Sequence, residues 1–280
     1  MEIDIKKAEA EFLNYVSKYD TDNYWIKLKR EHSLRVMNIS KQIATLLELS
    51  DEDIKIATLI GLLHDIARFE QYKQYNTFVD LDSLDHGDYG VEILNKDIRN
   101  YIQDDKYDNI IKTAIKNHNK FKIQDGLNQK EEMFCKIIRD ADKIDIFFEA
   151  IDMFWIGEEE QINSSILDKN IYEEVKNLNL IDRRKFKYDR KGVNSVVALI
   201  SFIFDMNYDV SLNILKQNKY IDKILDRFSF NNIGTKEQIE NIRKIVDKYL
   251  NKELNEGWYN GQKNINYRKT ISCNGICKGT

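Results

Sequence analysis

A chain of 280 residues without a single proline lacks the residue that most strongly interrupts a helix. At an average usage near 5%, roughly 14 prolines would be expected. Their absence leaves long helices unopposed, and apolar residues recur at helical spacing along most of the chain. Ile5, Ala8, Phe12 and Val16 form the first such stripe; Leu34, Ile39, Ile43, Leu46 and Leu47 form a second, over about 24–49. The prediction is an all-α fold.

Ser50 followed by Asp53 makes a capping-box-like start for a third helix, which runs into Leu59-Ile60-Gly61-Leu62-Leu63-His64-Asp65-Ile66-Ala67-Arg68-Phe69. There an apolar run gives way to an adjacent imidazole and carboxylate. A buried carboxylate without a partner is costly, and a metal ion would suit both side chains at once. After Arg68 the period dissolves, so 69–83 reads as a polar, aromatic loop that walls a candidate site. Helices are predicted again over 85–94, 107–117 and 131–154. The only histidines, His32, His64, His86 and His118, each lie in or beside one of these helical segments. The last helix is interrupted by Asp140, Asp142 and Asp145.

The ordered series His32, His64-Asp65, His86, His118, Asp142 resembles the HD superfamily of metal-dependent phosphohydrolases, over about residues 25–150. The resemblance implies an HD-domain-like helical bundle, here with additional C-terminal helices. It implies His32, His64, Asp65 and Asp142 as ligands of one ion. His86 and His118 match the extra histidines of binuclear members, which would add a second ion with Asp65 bridging the two. Asp140 and Asp142 project about 200° apart on a helix of 3.6 residues per turn, so one cannot easily replace the other. The family's Asp-Ala-Asp segment selects Asp142, which leaves Asp140 as a supporting or capping carboxylate. The ions would be divalent transition metals (Mn, Fe, Co, Ni or Zn), because sites for these join imidazole with carboxylate.

Arg35, Arg68, Lys120 and Lys143 are the candidate phosphate contacts, since fixed positive charge offsets that of transferring phosphoryl oxygens. Asp65, Arg68 and Lys143 are expected to carry the chemistry. The expected reaction is hydrolysis of a phosphate ester of a nucleotide or another small phosphorylated metabolite by metal-activated hydroxide. Two rivals share the scaffold: a mixed-valence di-iron oxygenase, and a ligand-sensing module without catalysis. Where the familiar motif continues His-Asp-Ile-Gly, this chain has Ala67.

Hydrophobic residues make up 42% and charged residues 32%, as suits a globular protein, and the net charge of −4 provides no field favouring nucleic acid. The longest apolar run, 196–204, is too short to span a bilayer. The N-terminus lacks the apolar core of a signal peptide, and three cysteines do not suggest a disulfide scaffold. A cytoplasmic address follows as the expectation. Cys135, among Met133, Phe134, Ile137 and Ile138, reads as a core filler. The organisation expected is a catalytic core over 1–157 and a helical extension over 158–256 packing on it. Within that extension, helices are predicted near 170–178, 192–205, 208–217, 219–228 and 235–255. A loosely held tail, 257–280, contains Cys273 and Cys277. The helices after 157 are the candidate docking or homodimer surface.

Overall fold

Asp4, Asn23 and Ser50 each turn a side-chain oxygen onto a backbone N–H of the turn that follows, and so set where the first three helices begin. These are α1 (Ile5–Val16), α2 (Tyr24–Leu46) and α3 (Asp51–Leu63). In α3 every residue from Ile56 to Leu63 is buried, so it is surrounded on all sides and carries no polar face there. The helix packs against α2 along Gly61. A Cβ at Gly61 would lie 2.6 Å from Ser40 Oγ, 2.8 Å from the Val36 carbonyl and 2.9 Å from Met37 Cα. The contact therefore requires glycine, and it brings the last turn of α3 against the middle of α2.

The computed structural model describes residues 3–182 and 192–252, and contains helices and no strand among them. After α3 come α4 (Ala67–Tyr75), a short 3-10 turn (Asp80–Asp82), α5 (His86–Tyr101), α6 (Asp108–Asn117) and α7 (Gln129–Asp152). A full capping box between Asn128 and Glu131 starts α7. This long helix packs against α2, α3 and α6, and α5 lies on α1, α4 and α6. The result is an all-α helical bundle built around α3.

The remaining elements are α8 (Glu159–Ser164), α9 (Lys169–Lys176), α10 (Val193–Ile200), a 3-10 turn (Ser201–Asp205), α11 (Asp209–Asn218), α12 (Tyr220–Leu225) and α13 (Ile233–Leu250). Both α11 and α12 pack on α7, α11 also touches α2, and one apolar core runs from Ile3 to Tyr249. Cys135 is fully buried in it, and burial pushes its thiol up to about 12. The tail expected over 257–280, with Cys273 and Cys277, lies outside the described residues. No helix among the described residues is long and apolar enough to cross a membrane.

Two expectations need correction. The stretch after Arg68 is not a loop from its start, because α4 continues to Tyr75 and ends at Asn76 in the left-handed region, φ 52°. The helix hides its period because one of its buried residues is polar: Gln71 donates to Asp80, Ser83 and the Leu84 carbonyl. The element expected over 192–205 changes to a 3-10 turn at Ser201, whose buried hydroxyl donates to the Ala198 carbonyl and accepts from Ile181 N–H. Helix α8 was not anticipated; its six residues start with two acids and bury Ile162 alone.

The Gly61 contact gives a direct test. Gly61→Ala should destabilise the fold by about 1–3 kcal/mol through overpacking, visible as a lower thermal midpoint. An unchanged midpoint would mean that α2 and α3 do not approach as closely as described.

Candidate metal centre

Helix ends and helix faces deliver the polar groups to one point in the bundle. His32 lies on the buried side of α2, and His64 is the C-cap of α3 with Asp65 next to it. His86 opens α5, His118 is the C-cap of α6, and Asp142 lies on α7. The four histidines and Asp65 are buried. Each imidazole has its Nδ1 occupied on its outer side. His64 and His118 fold back on carbonyls of their own helices' last turns, Gly61 O at 2.9 Å and Ile115 O at 2.7 Å. His32 and His86 turn to carboxylates, Asp145 Oδ2 and Asp80 Oδ2, each at 2.6 Å.

A carbonyl can only accept, so these contacts place the neutral ring's proton on Nδ1 and turn the Nε2 lone pair inward. His32 Nε2 lies 3.2 Å from His64 Nε2, 3.2 Å from Asp142 Oδ1 and 3.5 Å from Asp65 Oδ2. His64 Nε2 lies 3.7 Å from each of those two oxygens. Four ligands about 2.1 Å from a common ion would stand about 3.4 Å apart in a tetrahedron. On the other side of Asp65, Oδ1 lies 3.4 Å from His86 Nε2 and 3.6 Å from His118 Nε2, and those two nitrogens are 2.9 Å apart. One carboxylate thus divides its oxygens between two pairs of inward-facing imidazoles.

The charges suit a cation. Burial would raise the Asp65 carboxyl, yet Lys29, His64 and Arg68 hold it well below the usual carboxylate range. Asp142 is likewise held low against burial by the neighbouring His32 and His64. Burial lowers His64, and burial with Arg68 brings His86 down to about 3, so both present lone pairs. For His32, burial and Lys29 work downward, but its bonds with Asp142 and Asp145 raise it to about 9. Imidazole nitrogens and carboxylate oxygens in this mixture fit a divalent transition ion, and His32 with His64 and Asp142, or His64 with Asp65 and His118, form groups able to hold one.

Of the expected phosphate contacts, only Arg68 reaches the centre, with Nε 3.4 Å from Asp65 Oδ1. Arg35 lies behind His32, paired with Asp145 through Nε at 2.6 Å and with Glu149 through Nη2 at 2.6 Å. Lys120 is held by Asp85 at 2.5 Å and Asp88 at 2.8 Å, at the start of α5. Lys143 pairs with Asp205 at 2.9 Å, beside Arg139 on the same carboxylate at 2.6 Å. These three cations already have carboxylate partners, which is why the charge that marked them in the sequence is not directed at the centre. Asp140 accepts from the Asn207 and Tyr208 N–H groups at 2.9 and 3.0 Å ahead of α11, and burial raises its carboxyl.

Sequence reading missed four residues. Lys29, three positions before His32 on the same helix face, places its Nζ 2.9 Å from Asp65 Oδ2 and 5.5 Å from the centre of the Phe78 ring. Asp145 follows Asp142 by one turn, and Glu149 follows Asp145 by another, so helical spacing was the available signal. Asp80 lies in an irregular connection and had none.

Residues 30–146 match a family model described as HD domain. No curated protein and no solved structure matches the chain.

The Lys143 cluster predicts a pH dependence. Asp205 is half-buried, which would raise its carboxyl, but Lys143 and Arg139 hold it below its ordinary value. Its contribution is therefore complete above the unfolded carboxyl's pKa of about 3.9 and is lost as pH falls through that value toward the lower folded one. Asp205→Asn should cost about 1.5–3 kcal/mol at pH 7, and the gap from the unsubstituted protein should close below about pH 4 in denaturant unfolding series. A gap independent of pH would contradict this pairing.

Proposed function

With residues 30–146 an HD domain, we propose that this chain is a metal-dependent phosphohydrolase acting on a small phosphate ester, a nucleotide or another phosphorylated metabolite. The observation that carries this reading is Asp65, one oxygen facing the His32–His64 pair and the other facing the His86–His118 pair. His32, His64, Asp65 and Asp142 would hold one ion; His86 and His118, with Asp65 shared, would hold a second. A bound divalent ion lowers the pKa of its water from about 15.7 toward 7 and so supplies a nucleophile at neutral pH.

The chain's own side chains account for the rest. Lys29 and Arg68 keep Asp65 ionised, so it remains an acceptor rather than a donor. Arg68 Nε–H is buried 3.4 Å from Asp65 Oδ1, which sets the guanidinium charge beside the shared carboxylate. Arg68 Nη1 is already committed to Gln71, the Phe78 carbonyl and Asp80 at 2.7–2.9 Å, so the guanidinium is oriented before any substrate arrives. A preoriented cation of this kind offsets charge that develops on the transferring phosphoryl group without reorganising at that moment. Lys143 is tied to Asp205 and has no part in this scheme.

A panel of nucleotides and phosphomonoesters, each with Mn, Fe, Co, Ni, Zn or Mg, should reveal phosphate release by the unsubstituted protein. His64→Ala and Asp65→Ala should lose metal and lower turnover by more than ~100-fold, the upper end of what losing even an outer contact to a metal ligand costs, while circular dichroism stays helical. Turnover by a metal-free Asp65→Ala protein would refute the scheme. Oxygen consumption by an iron-loaded protein that cleaves no ester would replace it with oxygenase chemistry.

A further inference from the structure

The two halves of the centre follow one pattern. Each has an imidazole turned onto a carbonyl of its own helix, and another turned onto a carboxylate held by an arginine: His32–Asp145–Arg35 on one side, His86–Asp80–Arg68 on the other. The carboxylates differ in their setting. Asp145 belongs to α7, its side chain is 1% exposed, and Arg35 grips both of its oxygens, at 2.6 and 3.0 Å. That relay runs from helix to helix. Asp80 stands instead in the connection between α4 and α5, and its side chain is 28% exposed. It is held by Arg68 at 2.9 Å, Gln71 at 3.1 Å and Asn119 at 3.1 Å. The same Arg68 and Gln71 side chains bind the connection again, at the Phe78 carbonyl (2.8 Å), Ser83 Oγ (2.8 Å) and the Leu84 carbonyl (3.2 Å). Residues 76–85 thus form a strap whose attachment to α4 and whose support of His86 share the same few hydrogen bonds.

The ligand sets differ as well. Two carboxylates, Asp65 and Asp142, face the His32–His64 pair, whereas Asp65 Oδ1 alone faces the His86–His118 pair. Fewer ligands and less negative charge weaken ion binding, and an orienting carboxylate on an exposed connection defines its ring less firmly than one buried in a helix.

Building on the two-ion reading above, we propose that Asp80 is the positioning residue of the His86–His118 half. On this proposal, that half takes up its ion last and gives it up first, under control of the strap 76–85. Displacing the strap would free the His86 ring while leaving α2, α3 and α7, which carry the other half, in place. Because Arg68 holds Asp80 and also reaches Asp65, the same displacement would release the guanidinium at the centre.

The test is a titration of the chelator-stripped full chain with Mn(II), followed by calorimetry and by electron paramagnetic resonance. The unsubstituted protein should bind two ions in unequal steps, with a spin-coupled signal arising only past the first equivalent. In Asp80→Asn the second step should weaken by roughly 10–100-fold with the first unchanged, the uncoupled signal should persist at two equivalents, and Asp80→Glu should recover part of the loss. Hydrogen exchange in 76–85 of the unsubstituted protein should slow on the second equivalent and not on the first, a readout that needs no variant. The proposal is overturned if Asp80→Asn leaves both steps as they were or weakens them equally, if exchange in the strap does not respond to the second ion, or if the unsubstituted chain takes up fewer than two ions. Two unequal ions in a protein that cleaves no phosphate ester would count against the hydrolase alone; an active hydrolase indifferent to Asp80→Asn would count against the strap alone.

Discussion

Everything near the centre depends on what the outer nitrogens of four imidazoles are bonded to. Two meet main-chain carbonyls and two meet carboxylates, so all four rings have one orientation and their other nitrogens face inward. Lone pairs that face each other at 2.9–3.2 Å, beside two carboxylates held ionised, form an arrangement that positive charge stabilises. The fold serves this geometry directly. Two of the histidines cap helices and spend their Nδ1 protons on carbonyls the helix leaves unpaired. The close packing at Gly61 sets the end of α3, and with it His64 and Asp65, against the helix that carries His32.

So much buried negative charge is tolerable only with compensation, and the chain provides it at several distances. Lys29 bonds Asp65 directly, and Arg35 and Arg68 stand behind the carboxylates that orient His32 and His86. Neighbouring cations deal with other acids: Lys143 and Arg139 neutralise Asp205 where α7 meets the C-terminal helices. Arg68 belongs to both groups, since it touches Asp65 and also fixes the connection that carries Asp80. That double engagement ties the connection to the centre.

Much of this was legible in the sequence, for reasons that also mark its limits. Helical periodicity located most helices, and the series from His32 to Asp142 named the residues that the structure brings together. The resemblance selected Asp142 through its Asp-Ala-Asp segment, while helix geometry said only that Asp140 could not take its place; Asp140 turns away, toward Asn207 and Tyr208. The cations were misread because a basic residue's charge shows in the sequence while its carboxylate partner does not. Asp205 lies 62 positions after Lys143, and Glu149 lies 114 after Arg35. Asp80 is a connection residue with no periodicity to place it, and Gln71 disguised α4 because a buried amide satisfied by four acceptors and donors looks, in sequence, like a loop residue.

The most direct test of the account is anomalous X-ray scattering, at the metal's absorption edge, from crystals grown with Mn(II) or Fe(II). A peak is expected about 2.0–2.2 Å from His32 Nε2, His64 Nε2, Asp65 Oδ2 and Asp142 Oδ1 together. Full-occupancy metal elsewhere on the chain, with no density at that point, would contradict it.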